Sequence, residues 1–470
     1  MAKSLIGKFK DTSRPKSYDW FVFAVVFLLG FLFFSQFSDI NLTVKHSREL
    51  LSTIKSGGFF RYYSIVLEKA LSGAYGRESV LDAANYNILI YLVIAVWFLP
   101  LAAADKLFNI PRYTALDMMH AKLLIALVIL LSAYLLYRLA LKLDMGKQNA
   151  EWTAYLFLSS PVLIFGSILF TGYDVFSCAL TLLALFFYVD KKYSKFTTVI
   201  AAAACFKIFA LFIFIPLILI AEKRIARVLL HGMGSVVLLV LTRILTLWDS
   251  GYSVTQQQMD EVYRFKDRLF ESSIAGPGAS VSIFLLLYII ICIACYMIKP
   301  PKEKLINYIV FICLITYGVF FAFVRWHPQW AMLIAPFAAL AVMGCKDKKL
   351  ALIVESFMCI GYVVFTAVKF TENVDNYMIT SGPLSLILDW TYSGMTFGEM
   401  FVRLGIPAVI PPTVFVACLC FFVWYVFHNI RRDTFDMAGK FDVGRSVIWV
   451  RAASLMVFIL PSFALFFRYS

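Results

Sequence analysis

Unbroken apolar runs of about 20 residues recur along the whole chain, separated by short polar or basic stretches. They predict membrane-spanning helices at about 19–37, 121–141, 152–170, 174–189, 228–248, 280–298, 305–324, 330–344, 350–368, 411–430 and 447–468. Two further apolar segments fit less simply. ILIYLVIAVWFLPLAAA (88–104) reads as re-entrant or as lying at the outer interface. TTVIAAAACFKIFALFIFIPLILIA (197–221) reads as a pair of short helices with Lys207 near its tip. The pattern predicts an all-α polytopic membrane protein of about 11–13 transmembrane helices, in one integral-membrane domain over residues 1–470.

Three outer connections are long: 38–87, running on to about 120, then 249–279 and 369–410. The first contains TVKHSRELLSTIKS, whose Val44, Leu51 and Ile54 share a helical face. The second contains MDEVYRFKDRLF, with Met259, Val262, Tyr263, Leu269 and Phe270 on one side. Both suit helices lying flat on the membrane surface, or equally helices packed on the protein itself.

Composition agrees with this picture. The 470 residues are 61% hydrophobic and only 15% charged, and the mean hydropathy is +0.81, which excludes an ordinary soluble domain. The net charge of +14 raises the question of nucleic acid. Its distribution excludes that partner, because the basic residues divide by side of the membrane. Lys3, Lys8, Lys10, Arg14 and Lys16 precede the first span and place the N-terminus in the cytoplasm. If neither 88–104 nor 197–221 makes a net crossing, the clusters YRLALKLDMGK, DKKYSK, EKRIAR, KPPKEK, CKDKK and RRDTFDMAGKFDVGR fall on the same side. The first run is long and lacks a small-residue cleavage site, so it reads as a retained span. The nine cysteines lie in apolar runs or at their edges, and CIAC (292–295) has no acidic or histidine partner nearby. They read as small hydrophobes, with no disulfide framework.

Four features then fall at the outer ends of spans. Asp39 follows the first run, and Asp174 lies in the turn FTGYDVF. Lys207 interrupts an apolar segment, and Arg325, His327 and Gln329 share the turn FVRWHPQWAML with two tryptophans. Each has a structural alternative. Asp39 with Ser38 and Asn41, and Asp174 after Gly172, are good helix caps. Lys207 can snorkel, and Trp326 and Trp330 suit an interfacial belt. Arg243, Arg451, Arg468 and Glu355, nearer span ends, read as snorkelling or locally paired. Against these alternatives, an ammonium inside apolar sequence is costly, and an arginine beside a histidine grips phosphate oxygens. Tyr173, His46 and Arg61 complete the candidate substrate-binding set, with Asp39 as the catalytic carboxylate. A lipid-tailed substrate with an anionic head fits such a place. The chemistry indicated is glycosyl transfer from a lipid-phosphate sugar, with Asp39 as general base and the cations on the leaving phosphate.

The acidic residue after the first span, the long first outer loop and the uneven spans resemble the GT-C glycosyltransferases. VRWHPQWAMLIAPF, FTGYDVFSCAL and AAACFKIFALFIFIPLIL are similar to segments of bacterial members that use polyprenyl-phosphate sugars, a group related to GPI-type mannosyltransferases. Such proteins often carry Gln before the Tyr-Asp pair, where this chain has Gly172. The resemblance covers about 40–345, leaving 346–470 as variable C-terminal helices. By this resemblance Asp39 matches the family's first-loop base, and direct displacement onto a glycan or lipid-linked acceptor hydroxyl inverts the anomeric centre. Some members of the family bind a divalent metal between acidic residues; with no second acidic motif beside Asp39, no metal or other cofactor is expected here. A flippase or exporter of lipid-linked sugars, and a polysaccharide polymerase or ligase, are the alternatives. The expected location is a bacterial plasma membrane with an extracytoplasmic site. The sequon NLT (41–43) leaves the endoplasmic reticulum open.

Overall fold

A computed structural model describes residues 14–35, 39–108, 114–276, 279–370 and 375–469. Lys3, Lys8, Lys10, Ser38 and the side chain of Asp39 lie outside the described residues. The described chain is helical apart from one small hairpin, in which Ser273–Ala275 pairs antiparallel with Ser280–Ser282.

Among the described residues seven helices are long and apolar enough to cross a membrane, and the chain is a multi-pass membrane protein. They are Ile88–Phe108, Ala115–Lys142, Ile225–Thr246, Leu305–Phe323, Lys348–Lys369, Ile410–Arg431 and Arg445–Tyr469. Gly146–Leu158 and Pro161–Leu169, bent by 46°, make an eighth if taken as one broken span. Five shorter apolar helices, Ser17–Phe33, Val175–Val189, Ala210–Ala221, Ile283–Met297 and Pro328–Gly344, account for the rest of the apolar runs. An apolar run therefore overstates helix length here, because its ends are spent on turns.

The segment 88–104 differs from expectation. It belongs to one continuous helix of 21 residues that accommodates Pro100, which excludes a re-entrant loop and leaves the interfacial form of the expectation. By contrast, 197–221 does fold as two helices, Tyr193–Phe206 and Ala210–Ala221, which break at Lys207.

The long connection 39–87 folds on the protein. The Asp39–Lys55 helix buries Ile40, Val44 and Leu50, and a second small core gathers Tyr62, Tyr63, Val66, Tyr75 and Tyr91 beneath it. Arg48 is buried in ion pairs with both Asp105 and Asp117. The Asp249 carboxylate accepts from the Tyr63 and Ser64 backbone N–H groups at 2.7 and 2.9 Å, fastening the connection 249–279 to the first long connection. Lys122, fully buried, donates to the carbonyls of Gly30 (2.8 Å) and Phe34, which neutralises the C-terminal end of the Ser17–Phe33 helix. Arg451 and Glu355 are paired with each other rather than snorkelling.

Candidate functional site

The turn 170–174 is built by close packing. A single π-helical turn, Phe165–Leu169, leads into it, and the Gly172 N–H donates to the Gly166 carbonyl at 3.2 Å. Thr171 takes φ +61°, unusual for a β-branched residue, while its hydroxyl meets that of Ser35 at 3.0 Å. At Gly172 an added Cβ would lie 2.6 Å from the Gly166 carbonyl oxygen and 2.9 Å from Gln329 Cβ. Only glycine fits. The departure from the family pattern thus has a physical cause, since Gln329 from a different segment occupies the space a side chain at 172 would need.

Asp174 precedes the Val175–Val189 helix but does not cap it with its side chain. Its carboxylate, 1% exposed, instead meets the Lys207 ammonium at 2.7 Å. Lys207 stands in extended backbone (φ −154°, ψ 118°) at the break between the two half-helices, and its side chain is 14% exposed. Its nitrogen lies 4.9 Å from the Trp330 ring centroid, 5.8 Å from Tyr173 and 5.9 Å from Phe209. An ammonium held by one carboxylate and three aromatic faces is stabilised where a bare charge would not be. The pair is stable and still reachable from one side.

The turn 325–330 completes the cluster. His327 packs edge-on to Trp330 at 5.1 Å, and Gln329 is buried against Gly172. Trp326 and Trp330 are 3% and 7% exposed, so they do not form an interfacial belt. The Trp326 N–H donates to the Phe321 carbonyl at 2.8 Å, and its ring stacks on Tyr362. Arg325 points away. Its side chain is 62% exposed and lies 3.9 Å from Glu271 of the second outer connection.

Two expected residues stand elsewhere. His46 Nε2 is 2.9 Å from the Asp82 carbonyl, and its ring packs against Tyr75 and Tyr91 in the small outer core. Arg61 is 73% exposed, 3.9 Å from Glu68. The backbone of Asp39 begins its helix four residues after Ser35, the residue joined to Thr171. Residues 173, 174, 207, 327 and 329 are therefore brought together, and the side chain of Asp39 lies outside the described residues. No sequence pattern singles out Tyr86, whose ring meets Tyr173 at 5.0 Å, or Arg268, a buried cation whose charge acts on His327. Among the described residues no group of three or more His, Cys, Asp or Glu is arranged to hold a metal ion.

Burial, reinforced by Arg268, Lys207 and Arg325, pushes His327 down to about 3; burial pushes His46 down to about 4. His327 is thus a neutral donor at pH 7, not a cation. Both groups bind protons more readily unfolded, where histidine titrates near 6.5, so their contribution is intact above that value. It is lost as pH falls from about 6.5 towards 4, at on the order of 2 kcal/mol per pH unit for the two together. Thermal unfolding in detergent from pH 8 to 5 is expected to show a flat midpoint, then a fall. With His46→Gln and His327→Gln together, most of that fall should vanish.

No protein-family model matches the chain, and no curated protein matches it. Among solved structures it is similar to ArnT from Cupriavidus metallidurans, determined bound to undecaprenyl phosphate. Identity is 16% over 88% of this chain and 77% of that one, with a TM-score of 0.41. Overlap at that level identifies no shared residue or activity.

Proposed function

We propose that the chain is a membrane glycosyltransferase that moves a sugar from a polyprenyl-phosphate donor to an acceptor hydroxyl on a glycan or lipid-linked glycan, at the extracytoplasmic face. The observation that supports this most is the Asp174–Lys207 pair, set among Tyr173, Phe209 and Trp330 at a helix break. A partly open ammonium at the end of apolar helices meets a lipid-borne phosphate where the tail can stay in the bilayer. Aromatic faces beside it suit the apolar face of a sugar ring.

In this reading the acceptor oxygen attacks the anomeric carbon from the side opposite the phosphate, and Asp39 takes the acceptor proton. The bond from anomeric carbon to phosphate oxygen breaks, and polyprenyl phosphate leaves with its charge balanced by Lys207. His327 and Gln329 donate to the same oxygens, with Arg325 at the rim. Inversion follows from single displacement. The turn motifs quoted above, similar to those of polyprenyl-phosphate-using GT-C enzymes, support the same donor.

The test is transfer by the purified full chain in lipid vesicles, given a panel of labelled polyprenyl-phosphate sugars and extracted membrane glycans. A labelled product with inverted anomeric configuration is expected. Movement of donor between leaflets with no transfer from any donor would replace the enzyme with a lipid-sugar carrier.

A further inference from the structure

A second site lies at the other end of the molecule. Tyr362 on the Lys348–Lys369 helix donates to the Pro328 carbonyl at 2.6 Å, beside the cluster just described. The start of that helix is 14 residues earlier, about 20 Å away along the axis. There, the last turn of the Ile410–Arg431 helix, the 345–347 connection, the first residues of the Lys348–Lys369 helix and the 432–444 connection line an open cavity of about 460 Å³.

Its walls are preformed. The Asn429 side-chain oxygen accepts from the Lys346 N–H (2.9 Å) and from the Thr434 hydroxyl (3.2 Å). Asn149 donates to the carbonyls of Met437, Ala438 and Gly439 at 3.0, 3.1 and 3.0 Å, pinning the facing loop. The Asp436 N–H donates to the Gly344 carbonyl at 2.7 Å.

Into this frame converge Lys346, Lys348, Lys349, Arg432 and Lys440, against two carboxylates, Asp347 and Asp442. Asp347 is engaged with the Leu350 N–H at 2.9 Å, and Lys348 with the carbonyls of Cys345 and Asp436. Lys346, Lys349, Arg432 and Lys440 make no ion pair with a carboxylate among the described residues. Four cations turned to one preformed hollow call for an anion with several oxygens.

We propose that this cavity binds a phosphate-bearing anion. Two sources share that chemistry, the headgroup of an anionic lipid and a soluble phosphate compound. Trp424 and Phe427, 53% and 45% exposed on the helix that forms one wall, give an acyl tail a surface to run along. The proposal is independent of the transfer reaction, which takes place at the opposite end.

The full chain is placed in nanodiscs of phosphatidylcholine alone or with phosphatidylglycerol, and retained lipid is read by native mass spectrometry. Inorganic pyrophosphate is titrated in the phosphatidylcholine discs, with a thermal midpoint as readout. Wild type is expected to retain phosphatidylglycerol selectively, or to be stabilised by pyrophosphate, and which of the two occurs identifies the source. Arg432→Glu with Lys440→Glu, both exposed positions, should weaken that binding about tenfold or more. The paired alanine substitutions give the same direction should the charge reversals fail to fold. Binding of neither ligand by wild type, or equal binding by wild type and the alanine pair, overturns the proposal.

Discussion

Lys207→Met is expected to lower sugar transfer by on the order of 10²–10³-fold, the usual cost of removing one group that stabilises charge on a leaving oxygen. The same substitution strands the Asp174 carboxylate, which is 1% exposed, and Asp174→Asn strands the ammonium. Each single change should lower folding stability by about 3–5 kcal/mol, because a buried charge without its partner has lost both water and counter-charge. The double variant, Asp174→Asn with Lys207→Met, removes both charges and should recover most of that stability. Its transfer should stay as low as that of Lys207→Met. Recovered transfer in the double variant would reduce the pair to a structural tie. Asp39→Asn serves as the comparison: stability near wild type is expected, with transfer lower by on the order of 10²–10⁴-fold. Undiminished transfer by Asp39→Asn would move the base role to another carboxylate.

The second large effect concerns stability alone. Arg451 is fully buried and joins three segments, since it pairs with Glu355, donates to the Leu156 carbonyl at 3.1 Å, and lies 3.6 Å from the Cys359 sulfur. Arg451→Ala leaves Glu355 buried and uncompensated, and about 3–5 kcal/mol of stability should be lost. Replacing both residues by leucine is expected to be neutral or mildly stabilising, because the desolvation cost of the two charges disappears with them. Thermal or denaturant unfolding in detergent measures both. A single substitution that costs nothing would show that water reaches this pair.

Much of the architecture is visible in the order of apolar runs, and the break at Lys207 is suggested because an ammonium inside an apolar run is costly. What a linear pattern does not carry is which charges meet. Asp174 and Lys207 are each conspicuous in an apolar context, yet their pairing depends on a helical hairpin folding back. The tryptophans of the RWHPQW turn suit an interfacial belt from sequence alone, because an indole serves a wet interface and a dry core equally well. Here both are buried, one of them on the Lys207 ammonium. For 88–104, counting charges by side is a global argument, and it cannot tell a re-entrant loop from a proline-containing segment whose backbone stays helical. Gly172 could be recognised as odd, but its cause, the approach of Gln329, exists only in three dimensions.

The arrangement around Lys207 also bears on how the protein is made. Asp174 leaves the ribosome 33 residues (207 − 174) before Lys207, at the head of a 15-residue apolar helix. Until Lys207 arrives, a lone carboxylate stands at the end of that helix, and translocon scales put such a charge at roughly 2.5–3.5 kcal/mol if it is drawn to the bilayer centre. The two half-helices that follow, of 14 and 12 residues, are each too short to span. They must enter together as a hairpin, carrying the ammonium to the waiting carboxylate. Pairing of these charges is expected to accompany insertion of the hairpin, and a variant that breaks the pair is expected to show a topology defect when segment orientation is mapped in membranes.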